Sequence, residues 1–281
     1  MSTLAVRLRA QFTHGPLPIL AACVLWGTTG TASSLAPASA PASAVGAAGL
    51  VLGGFLLFVT ARGARAVLRT ADWRLLSLGA LTVAGYALAF YPAVERTGVA
   101  VATTVALATA PIVLGLRSRP LVTSAAVVGC TVLVLGGGDA HVDLVGVALA
   151  LIAGLSYAVY SVICAHLIGL GHPSGAVVGA VFGGASVLTL PVLLLLGVGW
   201  VASPSGLAVT AHLAVFTTFV AYLLFGRGLR HTSAAAATTL TLAEPAVASV
   251  LGVVVLHERL PFVSWCGMGV LALALVALAR R

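Results

Sequence analysis

The sequence predicts an all-α integral membrane protein with ten transmembrane helices, arranged as two inverted five-helix repeats. Three observations support this class: the composition, the number of apolar runs and an internal similarity. Of the 281 residues, 60% are hydrophobic and only 7% are charged, and the mean hydropathy is +1.16. Because a soluble domain carries about 25% charged residues, this chain could not cover a globule with polar surface.

Ten apolar runs have about the length that a helix needs to cross a bilayer, roughly 20 residues. The loops between them are short, which leaves no room for a soluble domain. Arg7 and Arg9 before the first run also resemble the start of a secretory signal peptide, but the repeat described next requires this run as its first helix. The predicted helices span residues 17–34, 43–60, 75–94, 98–116, 121–138, 144–170, 175–197, 206–226, 233–256 and 262–279.

The chain repeats itself at an offset of 135 residues, the separation between Phe90 and Phe225. The similarity is carried by the strings TGVAVATTVALATAP and TSAAAATTLTLAEP. We therefore predict a first repeat over residues 1–138 and a second over residues 139–281. Five helices are an odd number, so the second copy would be inverted, as in alternating-access carriers with a site near the midplane.

The basic residues are all arginines, and their distribution predicts the orientation. With the N-terminus in the cytoplasm and ten spans, twelve of the 14 arginines lie on the cytoplasmic side, and only Arg96 and Arg259 lie outside. This agrees with the positive-inside rule. We expect a multi-pass protein of a bacterial inner membrane with both termini in the cytoplasm. A nucleic-acid partner is not expected, because the arginines are scattered among short loops.

Glu244 is the strongest candidate for a functional residue. It is the only acidic residue within the long apolar runs, and a carboxylate at bilayer depth costs several kcal/mol unless it faces protein or water. We predict that it binds substrate or carries a coupling proton. The alternative is a protonated carboxyl that holds a neighbouring helix. Pro245 follows it and should free the backbone carbonyl of Thr241.

Aromatic, hydroxyl and imidazole side chains in other runs are further candidates. Trp26, Tyr86, Tyr157 and Tyr160 could stack on a substrate, although core packing would explain each of them alone. Among the threonines we predict Thr29, Thr104 and Thr239 as cavity residues, with Thr103 and Thr238 beside them; their hydroxyls could equally bond to their own helix. His212 could relay protons to Glu244 or could be an interfacial histidine.

Proline and glycine are expected to act structurally, at Pro111, Pro245 and the small-residue row Gly175, Gly179 and Gly183. The four cysteines all fall inside apolar runs without metal-ligand spacing, so no metal or cofactor is expected.

Several strings together resemble a known family. They are LWGTTG at residues 25–30, Ala110-Pro111, Glu244-Pro245 and HERL at residues 257–260. On these residues the chain resembles EamA-like members of the drug/metabolite transporter superfamily. The resemblance implies a ten-helix carrier of small metabolites, often an exporter of amino acids or drugs. One departure is that Pro111 lies 9 residues before Pro120 whereas Pro245 lies 16 before Pro261, which predicts a shorter end on helix four.

The predicted function is secondary active transport of small metabolites, such as amino acids, related compounds or drugs, by alternating access. Export coupled to protons or to exchange is the favoured form, and a facilitator or channel-like permease is the alternative. A membrane-embedded enzyme is less favoured, because Glu244 has no second carboxylate at depth for paired acid–base chemistry. The partners are a small-molecule substrate, the lipid bilayer and, as the candidate coupling ion, protons. Substrate, direction and the choice between monomer and homodimer stay open.

Overall fold

A computed structural model describes residues 15–116, 119–136, 143–255 and 261–279. Within these ranges the secondary structure is helical and contains no strand. The prediction of an all-α membrane protein is confirmed. Arg7, Arg9 and the HERL string at residues 257–260 lie outside the described residues.

The helices are numbered here in chain order. They are α1 (Pro16–Gly27), α2 (Thr29–Ser33), α3 (Ala42–Thr60), α4 (Ala64–Thr70), α5 (Trp73–Gly115), α6 (Pro120–Leu135), α7 (Leu144–Gly169), α8 (Ser174–Leu196), a 3₁₀ turn (Gly199–Ala202), α9 (Pro204–His212), a π-helix (Leu213–Val220), α10 (Ala221–Leu229), α11 (Ala234–Leu240), α12 (Ala243–Val255) and α13 (Phe262–Ala279).

In the described part of the chain, seven helical stretches are long and apolar enough to cross a membrane. One of them is α5, whose 43 residues contain a break at Gly98 (φ 81°, ψ 157°) that divides it into residues 73–97 and 99–115. The 16-residue α6 is shorter, and α1 with α2 occupies the first predicted run. Each of the ten predicted runs therefore coincides with helix, while ten membrane crossings stay a prediction.

Helix starts follow ordinary local chemistry. Proline occupies the first turn of α1, α6 and α9, where its missing amide hydrogen is not needed. The side chains of Asp72, Asp143 and Ser233 accept hydrogen bonds from backbone amides at the starts of α5, α7 and α11. These caps fix the ends of the helices that carry the site described below.

Glycines allow several helices to approach closely, as in other membrane bundles. A Cβ added at Gly179 of α8 would lie 2.7 Å from Ala61 Cβ, and one at Gly183 would lie 2.7 Å from Phe58 Cβ. Gly175, the third residue of the predicted row, has only an ordinary contact of 3.7 Å with Leu223. The close approach of α8 to α3 therefore involves Gly179 and Gly183, and Gly175 takes no part in it.

The two proline-bearing segments end differently. Helix α5 ends at Gly115, one turn after Pro111, whereas α12 continues from Pro245 to Val255. This agrees with the shortened end that the proline spacing predicts for helix four.

Candidate functional site

A central cavity of about 120 Å³ lies among the helices that carry the predicted site residues. Its wall combines aromatic rings, threonine hydroxyls, small aliphatic groups and one carboxylate. The lining residues are Trp26, Thr29, Gly46, Leu50, Val83, Tyr86, Ala87, Phe90, Tyr91, Thr103, Leu107, Tyr157, Tyr160, Phe182, Thr217, Thr218, Tyr222, Thr241 and Glu244.

The aromatic rings of the wall contact one another as a continuous set. Tyr86 stacks on Phe90 with ring centroids 5.4 Å apart. Tyr222 meets Phe182 at 4.1 Å and Trp26 at 5.0 Å. Such faces can receive a cation or an aromatic group. A Cβ at Gly46 would overlap the ring of Tyr91, so only glycine leaves room for this ring beside α3.

The π-helix brings two adjacent threonines, Thr217 and Thr218, to the cavity. The indole Nε1–H of Trp26 donates to the backbone carbonyl of Thr217 at 2.8 Å and joins α1 to the π-helix. Single turns of π-helix occur frequently at functional sites. Here the wide turn has a specific partner on another helix, and the Thr217 hydroxyl donates to the Leu213 carbonyl at 2.8 Å.

A chain of hydrogen bonds joins α7 to the end of α11. The hydroxyl oxygens of Tyr157 and Thr241 are 2.8 Å apart, and the Thr241 hydroxyl donates to the Thr238 carbonyl, also at 2.8 Å. Because the Thr241 proton is used in this second bond, the Tyr157 hydroxyl donates to Thr241. The hydroxyl oxygens of Tyr160 and Tyr222 lie 3.2 Å apart on the same wall.

The helix that carries Glu244 is interrupted immediately before it. Helix α11 ends at Leu240 and α12 begins at Ala243, so Thr241 and Leu242 form a turn. The prediction that Pro245 frees the Thr241 carbonyl is wrong, because the backbone amide of Glu244 donates to that carbonyl at 3.0 Å. This bond from residue i+3 takes the place of the i+4 bond that Pro245 cannot make, and it satisfies the Thr241 carbonyl.

Glu244 lies in the first turn of α12 and faces the cavity. The positive end of the helix dipole favours an acidic side chain at such a position. None of the described residues that line the cavity is an arginine, a lysine or a histidine. Within the described part of the chain, the Glu244 carboxylate has neither an ionic partner nor a hydrogen-bond donor. A carboxylate at depth without a protein partner can receive a ligand cation or a proton.

Six of the eight predicted substrate-binding residues line the cavity: Glu244, Trp26, Tyr157, Tyr160, Tyr86 and Thr29. Thr104 and Thr239 do not. Their hydroxyls donate to the carbonyls of Ala100 and Ala235 in their own helices, each at 2.8 Å. Thr103, one residue before Thr104, faces the cavity instead. One residue turns the direction of a side chain by about 100° on a helix.

His212 does not line the cavity. Its Nε2 lies 2.8 Å from the Thr28 hydroxyl oxygen. Since this hydroxyl donates to the Leu25 carbonyl at 2.6 Å, its oxygen accepts from the imidazole. His212 thus joins the start of the π-helix to the junction of α1 and α2. The structure shows no direct contact between His212 and Glu244, so the predicted proton relay stays a prediction.

The lining residues that sequence reasoning missed include Phe182, Thr217, Thr218, Tyr222 and Thr241. A signal for Tyr222 was available. It lies three residues before Phe225, the repeat partner of Phe90, and residues with this spacing share one face of a helix, as Tyr157 and Tyr160 do. Among the described residues, no group of three or more His, Cys, Asp or Glu side chains could hold a metal ion.

Comparison with known proteins gives the family. The chain is 36% identical over 273 residues to the uncharacterized transporter YwfM of Bacillus subtilis (strain 168), a match that covers 93% of this chain and 92% of that protein. The model of the EamA-like transporter family matches residues 144–280. The chain belongs to the EamA-like transporter family. The predicted family resemblance is confirmed, and the cavity is that of a multi-pass membrane transporter.

The fold of this EamA-like transporter also occurs among solved structures. One crystal structure, 20% identical in sequence, superposes with a TM-score of 0.75 and covers 94% of this chain and 95% of its own. At this identity the likeness concerns the fold alone.

Proposed function

We propose that this EamA-like transporter is a secondary active exporter of small amine-bearing metabolites in a bacterial inner membrane. Amino acids, related amines and small cationic drugs belong to this class. The observation that carries the proposal is the Glu244 carboxylate, which among the described residues has no ionic or hydrogen-bond partner and faces a cavity lined by no basic residue. An ammonium group complements this carboxylate and the surrounding aromatic faces. Anionic substrates such as sugar phosphates would meet repulsion there.

The size and polarity of the cavity narrow the class of substrates. A cavity of about 120 Å³ accommodates a small molecule rather than a peptide. The hydroxyls of Thr29, Thr103 and Thr218 can donate hydrogen bonds to a carboxyl, hydroxyl or amide of the substrate, or accept them from such a group. The wall therefore offers a site for a positive charge, faces for an apolar group and hydroxyls for a polar end.

The energy source in this proposal is an ion gradient. The sequence has no lysine and therefore no Walker A phosphate-binding motif. Glu244 would bind a proton when the cavity is open to the outside and release it inside, while the substrate binds when the carboxylate is free. Because proton and substrate compete for one carboxylate, their movements in opposite directions are coupled. The two predicted inverted repeats would supply the alternating access.

The test is transport by purified protein in liposomes, with labelled amino acids and organic cations as candidate substrates and a sugar phosphate as the anionic comparison. Wild type is compared with Glu244→Gln, which keeps the shape but cannot bind a cation as a carboxylate. The matched control is Glu95→Gln, the same chemical change at an exposed position outside the cavity.

We expect saturable transport of amines or amino acids that a pH gradient drives in wild type and in Glu95→Gln but not in Glu244→Gln. Gradient-driven transport that survives in Glu244→Gln would overturn the role of this carboxylate. Transport whose rate does not depend on the pH gradient in any of the three proteins would instead identify a facilitator.

A further inference from the structure

Two groups of arginines that are far apart in sequence lie at one end of the molecule. Arg62, Arg65, Arg69 and Arg74 surround the short helix α4, and Arg227 and Arg230 lie at the end of α10. All six side chains are exposed. We call these six residues the basic rim.

Contacts with the first turns of α8 bring the two groups together. Gly179 of α8 packs against Ala61, which immediately precedes Arg62, and Ala176 lies next to Gly63. On its other side, Val178 packs against Gly226, which immediately precedes Arg227. Both groups therefore flank the first two turns of one helix, and the basic rim is a single surface.

No carboxylate neutralises the basic rim within the described part of the chain. Asp72 is the nearest acidic residue in sequence, and its side chain accepts a hydrogen bond from the backbone amide of Arg74 rather than from a guanidinium. Arg96, at the opposite end of residues 73–97, differs: its Nε lies 3.3 Å from Asp143 Oδ1, the one ion pair among the described residues.

Apolar side chains are exposed beside these charges. Helix α4 buries Ala64 and Val67, and it exposes Leu68 (47%) between Arg65 and Arg69. Trp73 is 68% exposed, and the Arg74 guanidinium lies 5.8 Å from the centre of its ring. Tryptophan and arginine side by side at a helix end are typical of the boundary between headgroups and acyl chains.

We propose that the basic rim binds the headgroups of anionic phospholipids, with phosphatidylglycerol as the type ligand. The exposed guanidinium groups attract the phosphate charge and donate hydrogen bonds to its oxygens. Leu68 and Trp73 enter the first layer of acyl chain beneath those headgroups, with α4 along the membrane surface. This site is separate from the central cavity, and it stands whether or not the proposed transport function is correct.

The test uses brominated lipids, which quench the fluorescence of a nearby tryptophan. Brominated phosphatidylglycerol or phosphatidylcholine is titrated into the full-length protein in mixed micelles. The signal of Trp73 is isolated by difference from Trp73→Phe, because the chain has four tryptophans. The variants are Arg65→Gln/Arg69→Gln and its charge-preserving partner Arg65→Lys/Arg69→Lys. Arg96→Gln is the control, since it removes a positive charge at the other end.

We expect wild type to prefer phosphatidylglycerol, and each removed arginine to weaken that preference by about fivefold, so that the double glutamine variant loses roughly 25-fold. Arg96→Gln and the double lysine variant should keep most of it, and soluble glycerol phosphate should not displace the lipid. An equal affinity of wild type for both lipids, an undiminished preference in the double glutamine variant, or displacement by glycerol phosphate would overturn the proposal. If the double glutamine variant does not fold, a salt titration of wild type decides. The preference must fall as NaCl rises, and a salt-independent preference also overturns the proposal.

Discussion

The two threonine-rich segments that the repeat pairs with each other differ most where each contains its proline. Residues 99–115 form an uninterrupted helix through Pro111, whereas the segment with Pro245 is divided by a turn at Thr241 and Leu242. At the same offset, Thr241 corresponds to Ala106 and Glu244 to Thr109. Thr109 packs against Gly154 and donates to the Val105 carbonyl at 2.6 Å, away from the cavity.

The difference shows that proline alone does not divide a helix in this bundle. Pro111 lacks the same amide hydrogen as Pro245, yet the helix continues. What the second segment adds is Thr241, with its hydroxyl between Tyr157 and Thr238, and the bond from the Glu244 amide to the Thr241 carbonyl. We infer that the hydroxyl contact and the proline together hold the turn that places the carboxylate.

The largest effect in this comparison is the difference expected between substitutions of the two prolines. Pro245→Ala restores an amide that can reach the Thr241 carbonyl, so the segment can become a regular helix and move Glu244. A displacement of about 1 Å can reduce activity by roughly tenfold to hundredfold. We expect such a loss of transport for Pro245→Ala and less than about twofold for Pro111→Ala, measured as initial rates in liposomes. Equal losses in both variants would mean that the turn does not set the position of the carboxylate.

A smaller effect is expected from the threonines. Thr241→Val removes the acceptor of the buried Tyr157 hydroxyl, and we expect the free energy of unfolding to fall by about 1 to 2 kcal/mol. Thr109→Val removes only a bond within its own helix and should cost less than about 1 kcal/mol. Thermal or denaturant unfolding of both purified variants measures the difference. A Thr109→Val protein that is the less stable of the two would contradict this account of the turn.

The smallest effect is expected at the ion pair between Arg96 and Asp143, which joins the two predicted repeats. The Gly146 backbone amide, and after it the Arg96 side chain, hold the pKa of Asp143 below its ordinary value. The stabilisation is therefore complete above the ordinary aspartate pKa, and it is lost as the pH falls through the lower folded-state value.

A melting curve followed between about pH 6 and pH 3 should show this loss as a small shift, since ordinary aspartate titrates near pH 3.9. Arg96→Gln should keep most of the shift, because the Gly146 amide remains, and Asp143→Asn should remove it. A shift that persists in Asp143→Asn would assign it to another carboxyl.

The sequence was sufficient to predict where the helices lie and which carboxylate lines the cavity. The length of the apolar runs determines the first, and the cost of a charge in lipid singles out Glu244, so neither prediction needs packing information. The direction of each side chain was harder to predict. Hydropathy is nearly uniform around these helices, so no polar face shows which of Thr103 and Thr104 points inward.

Local irregularities explain three of the lining residues that were missed, Thr217, Thr218 and Thr241. Thr241 faces the cavity because a turn replaces regular helix there, and neither the turn nor its Tyr157 contact has a pattern in the sequence. Phe182 lies between Gly179 and Gly183, in a stretch that indicated helix packing only. His212 contacts Thr28, 184 positions away in the chain, and only the tertiary structure brings the two together.

The π-helix at Leu213–Val220 has a consequence for comparing relatives. Bonding from residue i to i+5 accommodates one more residue per turn than an α-helix does. A homologue that lacks one residue in this stretch would wind as a plain α-helix and still present the counterparts of Tyr222 and Phe225 in the same direction. It would, however, bring one residue to the cavity where this chain brings both Thr217 and Thr218. A single-residue gap in an alignment here therefore marks a difference in which threonines line the cavity, and an alignment that closes the gap would hide that difference.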